Sequence, residues 1–257
     1  KEDLDVILAH REVDAYLESI TATLPADCVI SGYDFSNCDL RWYTFPRTTF
    51  ANCNFYGASL SESKFQECVF DTCSMGRVYA KQTIFSGSQF EMCNLCDSTL
   101  SQADMNNTSL VGCVLLDSDW TDANLSNATL WNCVVSKSVS PTLLTGVMAS
   151  NTTFAMCDLE GVDFDRATLF SSCFSMCHAD HSIWNSSKLD GTVFEKCKME
   201  RSFFQRAEVK SSAFKDTYLE FSNFRAADLD NCDFATSSTF GMNTSDCILQ
   251  HCYGLER

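Results

Sequence analysis

The sequence predicts an all-β solenoid, a rod of stacked coils, on three observations. From Phe35 to Val135, and again from Leu144 to Phe234, every fifth residue is large and apolar with few exceptions. Two positions before each stands a small residue: Cys, Ser, Thr, Ala or Val. A period of five fits neither the 3.6 of an α-helix nor the 2 of a flat strand, so it describes a coil that returns on itself. Third, most of the 16 cysteines fall in the small-residue slot. Cys53, Cys73, Cys93, Cys113 and Cys133 recur at intervals of 20, as do Cys157, Cys177 and Cys197.

Residues 1–27 differ from the rest. Leu4, Ile7, Leu8, Val13, Leu17 and Ile20 make a helical stripe, with Glu2, Asp3 and Asp5 at its N-terminus and Pro25 closing the segment. A solenoid leaves its first coil open, so a short N-terminal α-helical cap is expected here. From Cys28 the repeat begins. Its clearest stretches are Cys53-Asn54-Phe55-Tyr56-Gly57, Ala58-Ser59-Leu60-Ser61-Glu62, and later Ala123-Asn124-Leu125-Ser126-Asn127 and Ala227-Asp228-Leu229-Asp230-Asn231. These lines resemble the pentapeptide-repeat family, over roughly residues 28 to 250. The resemblance implies a right-handed quadrilateral parallel β-helix, four five-residue faces to a coil. The repeat centre and the residue two before it then fill the interior, and three positions in five face solvent. About 220 residues at about 20 per coil make a rod on the order of 50 Å long.

The beat slips once. Its phase is a multiple of five through Val135 and one less from Leu144. Either one residue is lost from a face or four are inserted at a corner. Cys133 to Cys157 spans one coil plus four, and an insertion keeps the cysteines on one face. An exposed loop near Ser138, Ser140 and Pro141, within 136–143, is therefore expected, and loops on repeat proteins often carry binding. From about Ser237 the pattern degrades, and an irregular C-terminal end is expected.

The cysteines, pointing inward in parallel, are poorly placed for bridging and read as small buried hydrophobes. Free thiols in this number suit a reducing compartment, the bacterial cytoplasm or a host cytosol after secretion. No signal peptide and no apolar run of about 18 residues is present. The chain opens at Lys1 rather than Met, which reads as a piece of a longer protein.

Acidic side chains number 34 against 18 basic, for a net charge of -16. Such a chain is repelled by nucleic acid and anionic membranes and suits a basic protein partner. The charge concentrates in a central belt: Glu91, Asp97, Asp104, Asp117, Asp119, Asp122, Asp158, Glu160, Asp163 and Asp165. Between Ser86 and Asp165 the only basic residue is Lys137. No P-loop, GxGxxG or GxSxG signature occurs, so no catalysis and no cofactor are expected. Cys173, Cys177, His178 and His181 are zinc-ligand types. In the repeat register, however, Cys177 points inward and the others face out from two faces, so the four converge only if the coil breaks.

The resemblance implies two functions. One is a non-enzymatic protein-binding scaffold, the β-helix module of a bacterial effector or larger multidomain protein. The other is a DNA mimic that binds a type II topoisomerase (DNA gyrase), as in the quinolone-resistance branch. The acidic belt suits the second; the basic residues beyond Arg166, and the want of an apolar C-terminal helix, do not.

Overall fold

Residues 6–7, 10–18, 24–136 and 143–255 are described by the structure, a computed structural model. They form a right-handed quadrilateral parallel β-helix of about 11 coils. Residues twenty apart lie one strand apart: Val69–Asp71 pairs in parallel with Gln89–Glu91, and Phe70 faces Phe90. The first face is a 13-stranded sheet running from Val6–Ile7 to Ile248–Gln250. The second includes a 6-stranded sheet from Val114–Leu116 to Ala213–Lys215. The third and fourth faces stack through single parallel bridges such as Ser59 with Tyr79 and Lys64 with Ile84.

Each face buries its centre residue and the one two before it, the alternation that a five-residue face requires. Identical centres stack into ladders. Phe50, Phe70 and Phe90 stack with centroids 5.1 and 4.8 Å apart and ring planes nearly parallel. Phe174, Phe194, Phe214 and Phe234 repeat this at 5.0, 4.9 and 4.6 Å. Neighbouring ladders meet edge to face, as Phe45 meets Phe50 at 5.3 Å and 72°. Offset stacks and edge contacts are the two favoured aromatic geometries, and a square interior supplies both. Trp184 fits between Phe164 and Phe204 because its indole N–H donates to Ser182 Oγ at 2.7 Å.

Corners are turned in the left-handed region by the residue two after the centre. Asn37, Asn52 and Asn132 adopt φ of 56°, 53° and 53°, and Gly57 adopts 68°. Asn and Gly take this conformation readily. Thr72, Met176 and Phe221, at 54°, 54° and 58°, do so at greater cost.

The slip is a deletion of one residue, not an insertion of four. Thr129–Trp131 pairs with Met148–Ser150 and Val134–Ser136 with Thr153–Ala155, so Thr129 faces Met148, nineteen residues on. Asn124 likewise bridges Leu143. The cysteines misled because thiol and hydroxyl share one role. Cys133 Sγ donates to Leu110 O at 3.3 Å, and Thr152 and Ser172, next on that face, donate to Leu130 O and Ala149 O at 3.1 and 3.2 Å. Cys157 and Cys177 continue the third-face column of Ser98 and Ser118. There Cys177 Sγ donates to Phe154 O at 3.4 Å, as Ser118 Oγ does to Leu95 O at 2.9 Å. The two cysteine series, Cys53 to Cys133 and Cys157 to Cys197, thus occupy two adjacent faces. Ser138, Ser140 and Pro141 lie outside the described residues.

All 16 cysteines are free thiols. Burial pushes the Cys68 thiol up to about 12. The adjoining Cys53 thiol does the same to Cys73, also to about 12.

The N-terminal helix is shorter than its apolar stripe, spanning His10–Glu18. Val6–Ile7 is instead a strand, paired with Cys28–Val29, because the open first coil offers an unpaired edge. Leu4, Leu8 and Ile20 lie outside the described residues. The helix lies over the first coil through buried Val13 and Tyr16. Tyr16 meets Tyr43 and Phe45 edge-on at 5.4 and 5.5 Å and donates to Thr44 O at 2.7 Å. Tyr43 donates back to Leu17 O at 2.6 Å.

At the other end the backbone ladder stays regular beyond Ser237. Ser238, Asn243 and Tyr253 each bridge the residue twenty before. Only the filling fails: Thr239 and Thr244 replace apolar centres, and Met242, Cys247 and Leu249 are partly exposed.

Candidate interaction faces

The coil sorts the acidic belt by slot. Asp104, Asp163 and Asp165 stand on the fourth face, and Asp119, Asp158 and Glu160 on the third. Asp122 turns the corner between them, and Asp97 and Asp117 the corner into the third face. Only Glu91 stands apart, on the first face beside Asp71. Two adjacent faces therefore gather the belt.

Several of these carboxylates also build the corner. Asp119 Oδ1 accepts the Thr121 backbone N–H at 3.0 Å, and Asp163 Oδ1 accepts that of Asp165 at 2.8 Å. Asp104 does the same for Asn106 at 3.3 Å. An Asp before the centre closes an Asx turn in this way. Acids after the centre close no turn and project outward. Of these, Asp97 lies 3.6 Å from Arg77, and Asp165 2.8 Å from Arg166. Both pairs are exposed and contribute little to stability.

The acidic third face extends beyond Asp165. Glu160, Asp180, Glu200 and Glu220 occupy one outward column at intervals of twenty. Their common slot, one after the centre at every twentieth residue, was the available signal; that it shares the face of Asp119 emerges only once the slip is read as a deletion.

The zinc candidates do not converge. Cys173 stands outward on the second face, Cys177 is buried, and His181 turns a corner at φ 60°. His178 instead lies between Asp158, 3.3 Å from Nδ1, and Asp180, 3.1 Å from Nε2. Asp158, Glu160 and His178 are the one group among the described residues whose potential ligand atoms all lie within 4.8 Å of one another. The two carboxylates are exposed.

Two further surfaces were not visible in the sequence. On the fourth face a groove of about 480 Å³ is lined by Asp165, Asn185, Gln205, Arg206, Arg225 and Asp246. On the first face Trp131, Met148 and Phe170 stand exposed on neighbouring strands. No helix among the described residues is long and apolar enough to cross a membrane.

Comparison with known proteins bears on the fold. Residues 34–71, 73–112 and 103–139 match the family model of pentapeptide repeats, in 8 copies. No curated protein matches the chain. Among solved structures, HetL is a pentapeptide repeat protein involved in heterocyst differentiation regulation, from the cyanobacterium Nostoc sp. It is 14% identical with a TM-score of 0.54, over 95% of this chain and 94% of that one. A trypsin-treated form of QnrB1, a plasmid-mediated fluoroquinolone resistance protein, is 16% identical with a TM-score of 0.35, over 83% of this chain and 89% of that one. The five-residue beat, the four-sided coil and the matched repeats agree, and the chain belongs to the pentapeptide-repeat family.

Proposed function

We propose that this chain is a non-catalytic binding scaffold. Its third and fourth faces dock on a basic protein surface that otherwise holds duplex DNA, such as that of a type II topoisomerase. The observation that carries this is the gathering of nine belt carboxylates, Asp97 to Asp165 without Glu91, on two adjacent faces. They span about four coils, about 19 Å at the inter-strand spacing. That is roughly one carboxylate per 2 Å, against about one charge per 1.7 Å of duplex. The match in linear charge density supports competition for a DNA-binding groove. The test is DNA gyrase supercoiling at rising protein and salt. Inhibition at micromolar protein, weakening as salt screens it and lost with Asp122→Lys plus Glu160→Lys, is expected. No inhibition at micromolar protein refutes the proposal.

A second reading, the β-helix module of a bacterial effector that holds a host protein, is supported by the fourth-face groove. Arg206 and Arg225 lie side by side there between Asp165 and Asp246 at the two ends, with Asn185 and Gln205 toward the Asp165 end. Such a lining suits a polar protein segment rather than a uniformly basic surface. A host-protein pull-down that survives charge reversal in the belt but fails with Arg206→Glu would favour it.

A further inference from the structure

The outward side of the first face is uncharged in the middle of the rod. Between Glu91 and Lys188 its strands present Ser109 and Val111, Thr129 and Trp131, Met148 and Ser150, then Thr168 and Phe170. Trp131, Met148 and Phe170 are 50%, 51% and 53% exposed. Apolar side chains grouped in this way on a soluble rod mark a contact surface. The corner residues on one edge, Asn132, Asn151 and Ser171, are short and polar; on the other edge Asn127 and Gly146 are followed by Arg166, which pairs with Asp165 at 2.8 Å.

The pattern is symmetric about one strand. Thr-Leu-Trp at Thr129–Trp131 and Thr-Leu-Phe at Thr168–Phe170 flank Met-Ala-Ser at Met148–Ser150. Leu130, Ala149 and Leu169 point into the core, which leaves Thr, small or flexible, and aromatic positions outward in mirror order. We propose that this face binds a second copy of the chain, the two rods antiparallel about a two-fold axis along Met148–Ser150. Trp131 then meets Phe170 of the second copy, and Met148 meets its own counterpart. A symmetric interface needs a self-complementary patch of this kind.

Charge supports the same occupant. The third face is opposite the first, so its carboxylates point away from the contact; two strands from the axis Lys188 and Asp190 lie against Ser109 and Val111 of the second copy, and the charges within the contact, Glu91, Lys188, Asp190, Glu208 and Lys210, nearly cancel. Four strands out from one aromatic and two from the other, the same axis sets Lys210 against Glu91 of the second copy. One strand further Asp230 meets Asp71 of the second copy, and the contact ends there. The seven strands from Gln89–Glu91 to Glu208–Lys210 make a patch about 30 Å long. That is at the small end of specific interfaces, so a micromolar dissociation constant is expected.

The experiment is sedimentation equilibrium of the full chain from 1 to 200 micromolar. A dimer is expected that salt does not weaken, because screening relieves the net repulsion. Trp131→Asp and Phe170→Asp, both on exposed side chains, each weaken it at least tenfold with an unchanged melting temperature. Glu91→Lys weakens it a few-fold, and adding Lys210→Glu restores it. Ile248→Asp, on the open last coil, leaves it intact. A monomer throughout this range overturns the proposal. So does a dimer that Ile248→Asp abolishes while Trp131→Asp and Phe170→Asp spare it, since that places the contact end to end. The outcome is independent of any effect on gyrase.

Discussion

Phe70 shares with Phe50 the largest set of ring partners in the N-terminal ladders, and Phe70→Ala tests what holds the coils together. It is fully buried, stacked on Phe50 and Phe90 at 5.1 and 4.8 Å. It also meets Phe55, Phe65 and Phe85 at 5.9, 5.5 and 5.9 Å. Truncating a buried Phe costs about 3–5 kcal/mol. Five ring partners put Phe70 at the upper end, since each aromatic pair adds about 0.5–1.5 kcal/mol beyond burial. Phe234, equally buried, has one stacked partner, Phe214 at 4.6 Å, and one edge partner, Phe224 at 6.1 Å. Phe234→Ala is therefore expected to cost about 3 kcal/mol, roughly 2 less than Phe70→Ala. Urea unfolding followed by circular dichroism measures both. Coils contact only their neighbours, so Phe70→Ala should also broaden the transition, as the N-terminal coils uncouple from the rest. A loss below about 1.5 kcal/mol, or a larger loss at Phe234, would refute ring stacking as the source of cohesion.

The thiols make stability sensitive to alkali. Cys68, pushed up to about 12 by burial, keeps in the folded chain a proton that the unfolded chain loses above about 8.5. Its contribution is complete below that pH. It falls as pH rises toward about 12, by up to about 1.4 kcal/mol per unit per thiol. Urea midpoints at pH 8 and 10 should differ, and Cys68→Ser should lessen the difference; a flat profile contradicts the burial argument. At pH 8 a thiol reagent should label the half-buried Cys38, Cys96, Cys173, Cys247 and Cys252 in the native protein, and the buried cysteines only after unfolding. Met176→Gly relieves a left-handed corner at an exposed site and should stabilise by about 0.5–1 kcal/mol, read from the same unfolding curves.

The interior was legible in the sequence because every centre residue must be apolar to fill the square, and the five-residue beat records that directly. The outside was legible only as composition. Asp119 and Asp163 were visible as acids, but their faces depend on how many residues separate Ser136 from Leu143. The cysteine spacing answered that wrongly, since Thr152 fills a thiol slot equally well. The ends were legible in part: the short N-terminal helix was read from its apolar stripe, but the backbone pairing at either end was not. Val6–Ile7 completes a sheet edge that no local pattern announces, and the coil around Thr239 and Thr244 is held by backbone bonds that tolerate a poorly filled core.

The one-residue slip has a consequence for how such a rod can evolve. Loss of a whole unit keeps the beat but rotates everything downstream by a quarter turn, carrying its acids to a different side. Loss of a full coil shortens the rod and leaves every side facing as before. Loss of a single residue, between Ser136 and Leu143, disturbs the beat visibly yet keeps the downstream coils facing as the upstream ones do. Mutations that look severe in a sequence can thus be mild to the binding surface, while a deletion that leaves the pattern unbroken would reassign it entirely.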